Sequence, residues 1–273
     1  QARPRLMGAP SLVERTVGGV TLLGDFGRPG RVTSAFTERT GGVSLPPFES
    51  LNLGDHVGDD PAAVAENRAR ALAALGAGDI AGSLVVPNQV HGDRVVTVRS
   101  ADPAAVAAAR SEAAEGADAV VCLVPGVPVL LCYADCVPVV LVAPDGFAVV
   151  HSGWKGTYAR IAAKALGVLC EGSPVPPSSV RAYLGPHIAG CDYEVSTELL
   201  NRFETEFGSI VGVDASHLSL AAAIVNTLVS AGMDPCNIVN PEISTPASTD
   251  RFFSYRAEGG MCGRHGAMAW LAP

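Results

Sequence analysis

The feature that most constrains the fold is a pair of apolar runs near the middle of the chain, joined by Pro144-Asp145-Gly146. Proline, aspartate and glycine between two apolar segments indicate a tight turn between paired strands. We therefore predict a buried hairpin, rich in valine and leucine, with strands over residues 138–142 and 147–150. Such a hairpin is a rigid scaffold for any functional group at its ends.

Polar side chains occur only at the end of this hairpin that lies away from the turn. They are Asp135, Cys136, His151, Ser152, Trp154 and Lys155. If the turn centres on Asp145, His151 lies opposite Val139, and Cys136 lies three positions further along its strand. Strand spacing then separates the thiol from the imidazole by roughly 10 Å. A bend near Asp135 is required to bring the two groups together.

The rest of the chain alternates between strand patterns and helix patterns. Strands are predicted as a pair within residues 17–36 and singly at 84–86, 95–98, 117–121, 180–184, 238–240 and 267–271. Helices are predicted over residues 61–75, 103–116, 153–169, 196–207 and 218–231. No linker, repeat or low-complexity segment divides the chain. The pattern predicts one α/β (α+β) domain over residues 1–273, with mixed β-sheets and flanking helices.

Charge and cysteine usage exclude several classes of protein. The net charge is −8 and no basic run occurs, which disfavours a nucleic-acid partner. Apolar segments are too short for a membrane span, and residues 1–16 lack the apolar core of a secretory signal. The seven cysteines are odd in number and irregularly spaced, so a disulfide framework is not expected. A reducing cytoplasm is the predicted location.

His91, Cys136 and His151 each lie at the end of a predicted strand, beside a small or polar residue. Two imidazoles and one thiolate form a ligand set that suits Zn²⁺ or copper, and three protein ligands leave a fourth position open for catalysis. The same side chains allow a metal-free interpretation, with Cys136 as nucleophile, His151 as base, and Asp135 or His91 orienting the pair. A purely structural role for all three is the third interpretation.

Ten motifs occur in a fixed order along nearly the whole chain. They are FTERTGGVS, SLNLGDHVGDD, ENR, NQVHG, ADAVV, ADCVPVVL, VHSGWKGT, LGPHIAGCDYEV, FFSYR and GRHGAMAWL. With these motifs the sequence resembles the bacterial YfiH-like family, known as multicopper polyphenol oxidoreductase (laccase-domain) proteins and as purine nucleoside phosphorylases. The resemblance implies a mixed α/β fold and carries the family's metal ligands onto His91, Cys136 and His151.

The resemblance also implies a zinc-dependent phosphorylase that acts on adenosine, inosine and methylthioadenosine, with an adenosine deaminase side activity. Its partners are then a nucleoside and phosphate, and the protein is expected to be a monomer or homodimer. Candidate substrate contacts are Arg39, Asn52, Gln89, His187, Arg256 and Arg264. Arg39, Arg256, Arg264 and the amides of residues 153–156 are candidates for binding phosphate. His187 is a candidate proton donor to the leaving purine.

Two other activities remain open at this point. A copper-dependent, laccase-like polyphenol oxidase needs further copper sites, and the six histidines include no HxH pair. An amidohydrolase that edits cell-wall precursors with zinc or Cys136 is the other, because the fold is similar to that of a deamidating toxin with a Cys–His pair. Departures from the family pattern are Thr40, Ser244-Thr245, Ala257 and Cys262, so the substrate is less constrained than the metal ligands.

Overall fold

The computed structural model describes residues 8–273, which form two β-sheets and six α-helices. The strands are β1 Val13–Val17, β2 Val20–Asp25, β3 Val32–Thr37, β4 Val95–Val98, β5 Ala119–Cys122, β6 Val129–Tyr133, β7 Val137–Ala143, β8 Gly146–Ser152, β9 Arg181–Leu184, β10 Ile238–Val239 and β11 His265–Leu271. The helices are α1 Pro61–Ala74, α2 Pro103–Ala114, α3 Trp154–Tyr158, α4 Ile161–Gly172, α5 Thr197–Phe207 and α6 Leu220–Ser230.

One sheet has five antiparallel strands in the order β1-β2-β3-β11-β6, and the other has six in the order β10-β9-β7-β8-β5-β4. The six-stranded sheet is mixed, because β10 runs parallel to β9 and β4 runs parallel to β5 while the other pairs are antiparallel. The central hairpin, β7 and β8, lies inside this sheet and is buried along its whole length. The predicted fold class of mixed sheets with flanking helices is confirmed.

The sheets stack face to face because successive side chains of a strand point to opposite faces. Val140 of β7 and Val149 of β8 contribute to the core between the two sheets. Val139 and Val150, one residue along in each strand, pack instead in a core shared with helices α4, α5 and α6. A third core joins the outer face of the five-stranded sheet to Leu72 of α1 and its neighbours. The molecule therefore has four layers, with helices outside two sheets.

Helix starts follow their sequence signals. Asp60 caps α1 by accepting a hydrogen bond from the Ala62 N–H at 3.0 Å, and Ser196 caps α5 by accepting one from the Leu199 N–H at 3.2 Å. The predicted helix over residues 153–169 is instead two helices, α3 and α4, because Arg160 between them adopts a left-handed backbone with φ of 58°. Within the described residues no helix is both long and apolar enough to cross a membrane. Residues 1–7 of the segment judged against a secretory signal lie outside the described part.

The strand predictions need three corrections. His151 pairs with Pro138 and not with Val139, because the turn contains only residues 144 and 145 and Ala143 pairs with Gly146. The pair predicted within residues 17–36 is three strands, β1 to β3, beginning at Val13. The segment 84–86 forms only an isolated bridge between Val85 and Val129, since its neighbours do not continue the pairing. Strand β6 was not predicted separately from the hairpin.

Candidate metal centre

His91, Cys136 and His151 meet at the end of the hairpin that lies away from its turn. One ligand atom from each side chain lies within 4.8 Å of the other two. His91 is in the loop before β4, Cys136 precedes β7, and His151 is in β8. The two imidazole rings meet edge to face, with centroids 4.9 Å apart. The structure therefore brings together the three residues that the sequence singles out.

The bend predicted near Asp135 is present and connects β6 to β7. Asp135 has a φ of 93°, in the left-handed region that non-glycine residues rarely adopt. Its carboxylate accepts hydrogen bonds from the Thr245 hydroxyl at 2.6 Å and from the Arg256 N–H at 2.7 Å. These contacts fix the bend, which places Cys136 beside His151. Thr245, one of the departures from the family pattern, is thus part of the support for the site.

Asp118, which no sequence prediction included, positions both histidines. Its carboxylate is fully buried and lies 2.7 Å from Nδ1 of His151. It also accepts hydrogen bonds from the N–H groups of His91 at 3.0 Å and Gly92 at 2.7 Å. Because Nδ1 of His151 is occupied, Nε2 is the nitrogen available to a metal. The sequence feature that could have indicated Asp118 is an acidic residue directly before the apolar strand β5.

Gly153 allows the three side chains to approach one another. A Cβ atom at this position would lie 3.0 Å from Sγ of Cys136 and 3.3 Å from Cδ2 of His91. The backbone of Gly153, with φ of −77°, is open to other residue types. Space beside the thiol, and not backbone geometry, is therefore the reason for a glycine here.

Cys136 and His151 shift each other's pKa toward a thiolate and an imidazolium, so a metal that binds here displaces a proton from His151. Burial raises the pKa of the Cys136 thiol, but the charges and hydrogen bonds of His151 and His91 outweigh burial and lower that pKa to about 6. Burial lowers the pKa of His151, but the Cys136 thiolate and Asp118 raise it to about 9. Thiolate is the form of cysteine that ligates metals. Two imidazoles, one thiolate and a supporting carboxylate fit a three-ligand zinc site.

The metal centre opens onto a cleft of about 560 Å³. One wall is apolar and aromatic, and it includes Trp154, Ile188, Tyr193 and Leu220. The remaining lining is more polar and includes His56, Gln89, Tyr255, Arg256 and Arg264. This volume and mixed lining are typical of sites for small organic ligands.

Three of the predicted substrate contacts line this cleft: Gln89, Arg256 and Arg264. The amide of Gln89 donates to the Cys132 carbonyl and accepts from the Cys132 N–H, both at 2.8 Å. Gln89 therefore braces the strand beside the metal centre. Arg256 donates to the Glu194 carbonyl at 3.2 Å, and Arg264 donates to the Cys262 and Gly263 carbonyls at 2.9 Å.

Arg39, Asn52 and His187 do not line the cleft. Arg39 forms an ion pair with Glu258 at 2.9 Å and lies over the Phe253 ring. Asn52 is fully buried and bonds to backbone and side chains around its own loop. His187 is 1% exposed, with Nδ1 2.7 Å from the Gly185 carbonyl, and burial lowers its pKa. All three have structural contacts away from the cleft.

Comparison with known proteins agrees with this fold. The family model described as multi-copper polyphenol oxidoreductase laccase matches residues 33–272. A purine nucleoside phosphorylase of Mycobacterium tuberculosis is 37% identical over 88% of this chain and 92% of its own. An adenosine deaminase of an unknown prokaryotic organism is 32% identical over 88% of this chain and 94% of its own. The crystal structure of a hypothetical protein YfiH of Bacillus licheniformis has a TM-score of 0.82 and 30% identity, covering 94% of this chain and 98% of that one.

Proposed function

We propose that this chain, which belongs to the multi-copper polyphenol oxidoreductase laccase family, is a zinc-dependent purine nucleoside phosphorylase. Its substrates are adenosine, inosine and methylthioadenosine together with phosphate, and deamination of adenosine is a side activity. The observation that carries the proposal is the position of the His91, Cys136 and His151 group in the lining of a cleft that also has aromatic and cationic residues. The names of the relatives support the same activity.

His91, Cys136 and His151 would hold the zinc ion, which supplies a Lewis acid and can lower the pKa of a water molecule. Phosphorolysis joins an orthophosphate oxygen to the anomeric carbon of the ribose while the glycosidic bond breaks, and the departing purine takes up a proton. The apolar wall of Trp154 and Tyr193 packs against the purine and excludes water. The guanidinium groups that line the cleft attract the phosphate.

A cysteine-dependent hydrolase is the second candidate, and the lowered pKa of Cys136 beside His151 favours it. A multicopper oxidase is less well supported. Residues 8–273 contain one group of three side chains that could hold a metal ion, whereas oxidation of phenols coupled to the four-electron reduction of O₂ calls for several copper sites. Zinc is therefore proposed in place of copper.

The test is product analysis with zinc-loaded protein. Adenosine with orthophosphate should yield adenine and ribose 1-phosphate, and omission of phosphate should abolish that pair of products while leaving slow formation of inosine. His91→Ala and His151→Ala should each lose the zinc and the phosphorolysis, whereas His217→Ala, outside the cleft, should keep both. Release of free ribose without phosphate as the sole reaction would refute the assignment.

A further inference from the structure

A second cavity, the side chamber, adjoins the cleft. Its volume is about 310 Å³, and its lining includes Asp55, His56, Arg68, Asn88, Gln89 and Cys132. His56, Gln89 and Cys132 also line the cleft, so the two spaces share a boundary. Phosphorolysis requires a nucleoside and a phosphate to be bound side by side, and this pair of adjoining spaces can take one reactant each.

Arg68 brings an incompletely paired guanidinium group to the side chamber. Its Nε donates to the Leu53 carbonyl at 2.9 Å, but its buried Nη2 makes no well-aligned hydrogen bond. Nη2 lies 3.2 Å from Asp55, whose side chain is 62% exposed, so this ion pair is weakened by solvent. An anionic ligand in the side chamber would give the buried Nη2 a well-aligned acceptor.

Arg264 contributes a second positive charge from the cleft side. Its Nη1 donates to the backbone carbonyls of Cys262 and Gly263, each at 2.9 Å, and to Sγ of Cys262 at 3.5 Å. Among the residues that the structure describes, no carboxylate lies within ion-pair distance of Arg264. Its charge is therefore available to a ligand.

One short segment, Asn52-Leu53-Gly54, positions both arginines. Leu53 accepts from Arg68 Nε through its carbonyl and donates its N–H to the Arg264 carbonyl at 2.9 Å. The Asn52 side chain accepts from the Arg264 N–H at 2.8 Å. A Cβ atom on Gly54 would lie 2.8 Å from Cγ of Arg264 and 3.3 Å from Cε1 of His56. This segment thus connects Arg68, which lines the side chamber, to Arg264, which lines the cleft, and His56 lines both spaces.

We infer that the mouth of the side chamber is the orthophosphate subsite, with Arg68 and Arg264 as its principal donors and His56 as a third. The inference rests on the proposed function for the identity of the anion. Planar guanidinium groups match the oxygen atoms of phosphate, and the two arginines outnumber Asp55, the one carboxylate in the lining of the side chamber. Asn52 acts as a positioning residue through the Arg264 backbone.

Arg256, the other arginine of the cleft, belongs to the opposite wall. It is exposed, and its guanidinium lies 5.4 Å from the centre of the Tyr193 ring. Tyr193 and Trp154 pack at the border of the core that joins the six-stranded sheet to its helices, whereas Arg68 is on α1, which covers the five-stranded sheet. The nucleoside therefore lies against the aromatic wall, and phosphate approaches from the side chamber.

The experiment measures orthophosphate binding to zinc-loaded protein by calorimetry, and the KM for phosphate at saturating adenosine. Arg68→Gln and Arg264→Gln should each raise the dissociation constant and the KM for phosphate by about 10-fold to 100-fold, as expected for loss of a charge-assisted hydrogen bond. The KM for adenosine should change little. Asp55→Asn should act in the opposite direction and tighten binding, because it removes the competing carboxylate. Arg70→Gln is the matched control, since Arg70 is on the same helix and pairs with Glu66.

If Arg68→Gln weakens phosphate binding while Asp55→Asn tightens it, the two residues act on a phosphate subsite. If they form a merely structural ion pair, both variants should instead destabilise the protein to a similar extent. Should Arg68→Gln fail to fold, Arg264→Gln tests the same subsite from a different element. Unchanged phosphate binding in the Arg264 variant, or a loss confined to Arg256→Gln, would overturn the inference and leave the phosphorylase proposal intact. If phosphate binding requires Arg264 but the protein carries out no phosphorolysis, the subsite inference stands and the phosphorylase proposal is overturned.

Discussion

At the scale of single residues, Asp118 connects the parts of the metal centre. Its buried carboxylate accepts from the backbone of the His91 loop and from the ring of His151. Burial opposes ionisation, yet the hydrogen bond and charge of His151, with the amides of Gly92 and Val90, lower its pKa. It is therefore a charged acceptor that orients the His151 ring and holds the backbone of the His91 loop.

Asp118→Asn should reduce zinc affinity by about 10-fold to 100-fold, the range seen when a partner of a metal-ligating histidine is lost. The amide keeps the size of the side chain but cannot accept all of the hydrogen bonds, and its NH₂ group opposes the Nδ1–H of His151. Competition with a coloured zinc chelator measures the affinity. Asp145→Asn, at an exposed turn, is the control and should match the wild type. Equal zinc affinities in the Asp118 and Asp145 variants would show that Asp118 does not support metal binding.

The grouping of the three candidate metal ligands was predictable because their chemistry is uncommon and they lie at or near strand ends. Asp118 was not, since one carboxylate at the start of a strand has no distinguishing sequence pattern. The same limit applies to Arg39, Asn52 and His187. Loop residues with reactive side chains look alike in a sequence, and only packing shows that these three are used in structural contacts.

Alkylation of Cys136 separates the zinc enzyme from the cysteine hydrolase. A thiolate bound to zinc should resist iodoacetamide, and removal of the metal should expose a thiol whose pKa is about 6 and which reacts rapidly at neutral pH. Peptide mapping by mass spectrometry measures the rate, with the exposed Cys191 and Cys236 as internal references. Fast alkylation in the fully zinc-loaded protein, with substrate trapped on the sulfur, would favour the hydrolase.

At the scale of elements, the hairpin was predicted correctly, but its predicted register was wrong by one residue. The turn residues showed that β7 and β8 pair, but not which residues close the turn, and the ladder through Ala143 and Gly146 decides it. The predicted bend at Asp135 did not depend on this detail, because Cys136 lies beyond the pairing in either register. The break between α3 and α4 was not predicted, because the hydrophobic pattern does not indicate that the Arg160 backbone adopts the left-handed conformation.

The junction of β8 and α3 supplies the third prediction. Gly153→Ala should weaken zinc binding, because the new methyl group would lie 3.0 Å from Sγ of Cys136. Gly167→Ala in helix α4 is the matched control, since nothing lies within 4 Å of a Cβ there, and it should stabilise the protein by up to about 1 kcal/mol. Zinc affinity and urea unfolding of both variants measure the two effects. Normal zinc binding by the Gly153 variant would show that the centre has spare room.

At the scale of the whole molecule, the candidate metal centre lies where the two sheets meet. His151 packs against Tyr133 of β6, and Tyr133 pairs in turn with His265 of β11. The order of strands in the five-stranded sheet joins segments from opposite ends of the chain, which local patterns cannot reveal. The class of fold followed from alternating strands and helices, whereas the division of the strands between two sheets did not.

His265 makes this inter-sheet core sensitive to acid. The ring is fully buried between Tyr133 and Phe252, and neither nitrogen makes a well-aligned hydrogen bond in the described part of the chain. Burial lowers its pKa to about 3, against a small opposing effect of the Pro186 carbonyl. The unfolded chain therefore binds a proton on this residue near pH 6.5, whereas the folded protein does not bind one until the pH is far lower.

Stability should consequently fall as the pH drops below about 6.5, with a slope from this residue that approaches 1.4 kcal/mol per pH unit. His265→Leu removes this pH dependence. Between pH 6.5 and 4.5 the free energy of unfolding of the wild type should therefore fall by about 2 kcal/mol more than that of the variant. Urea titrations at both pH values measure the difference, in which the carboxylates common to both proteins cancel. His217→Ala, whose ring is partly exposed beside Asp214, is the control. Parallel pH profiles for wild type and His265→Leu would show that the buried imidazole is protonated in the folded protein.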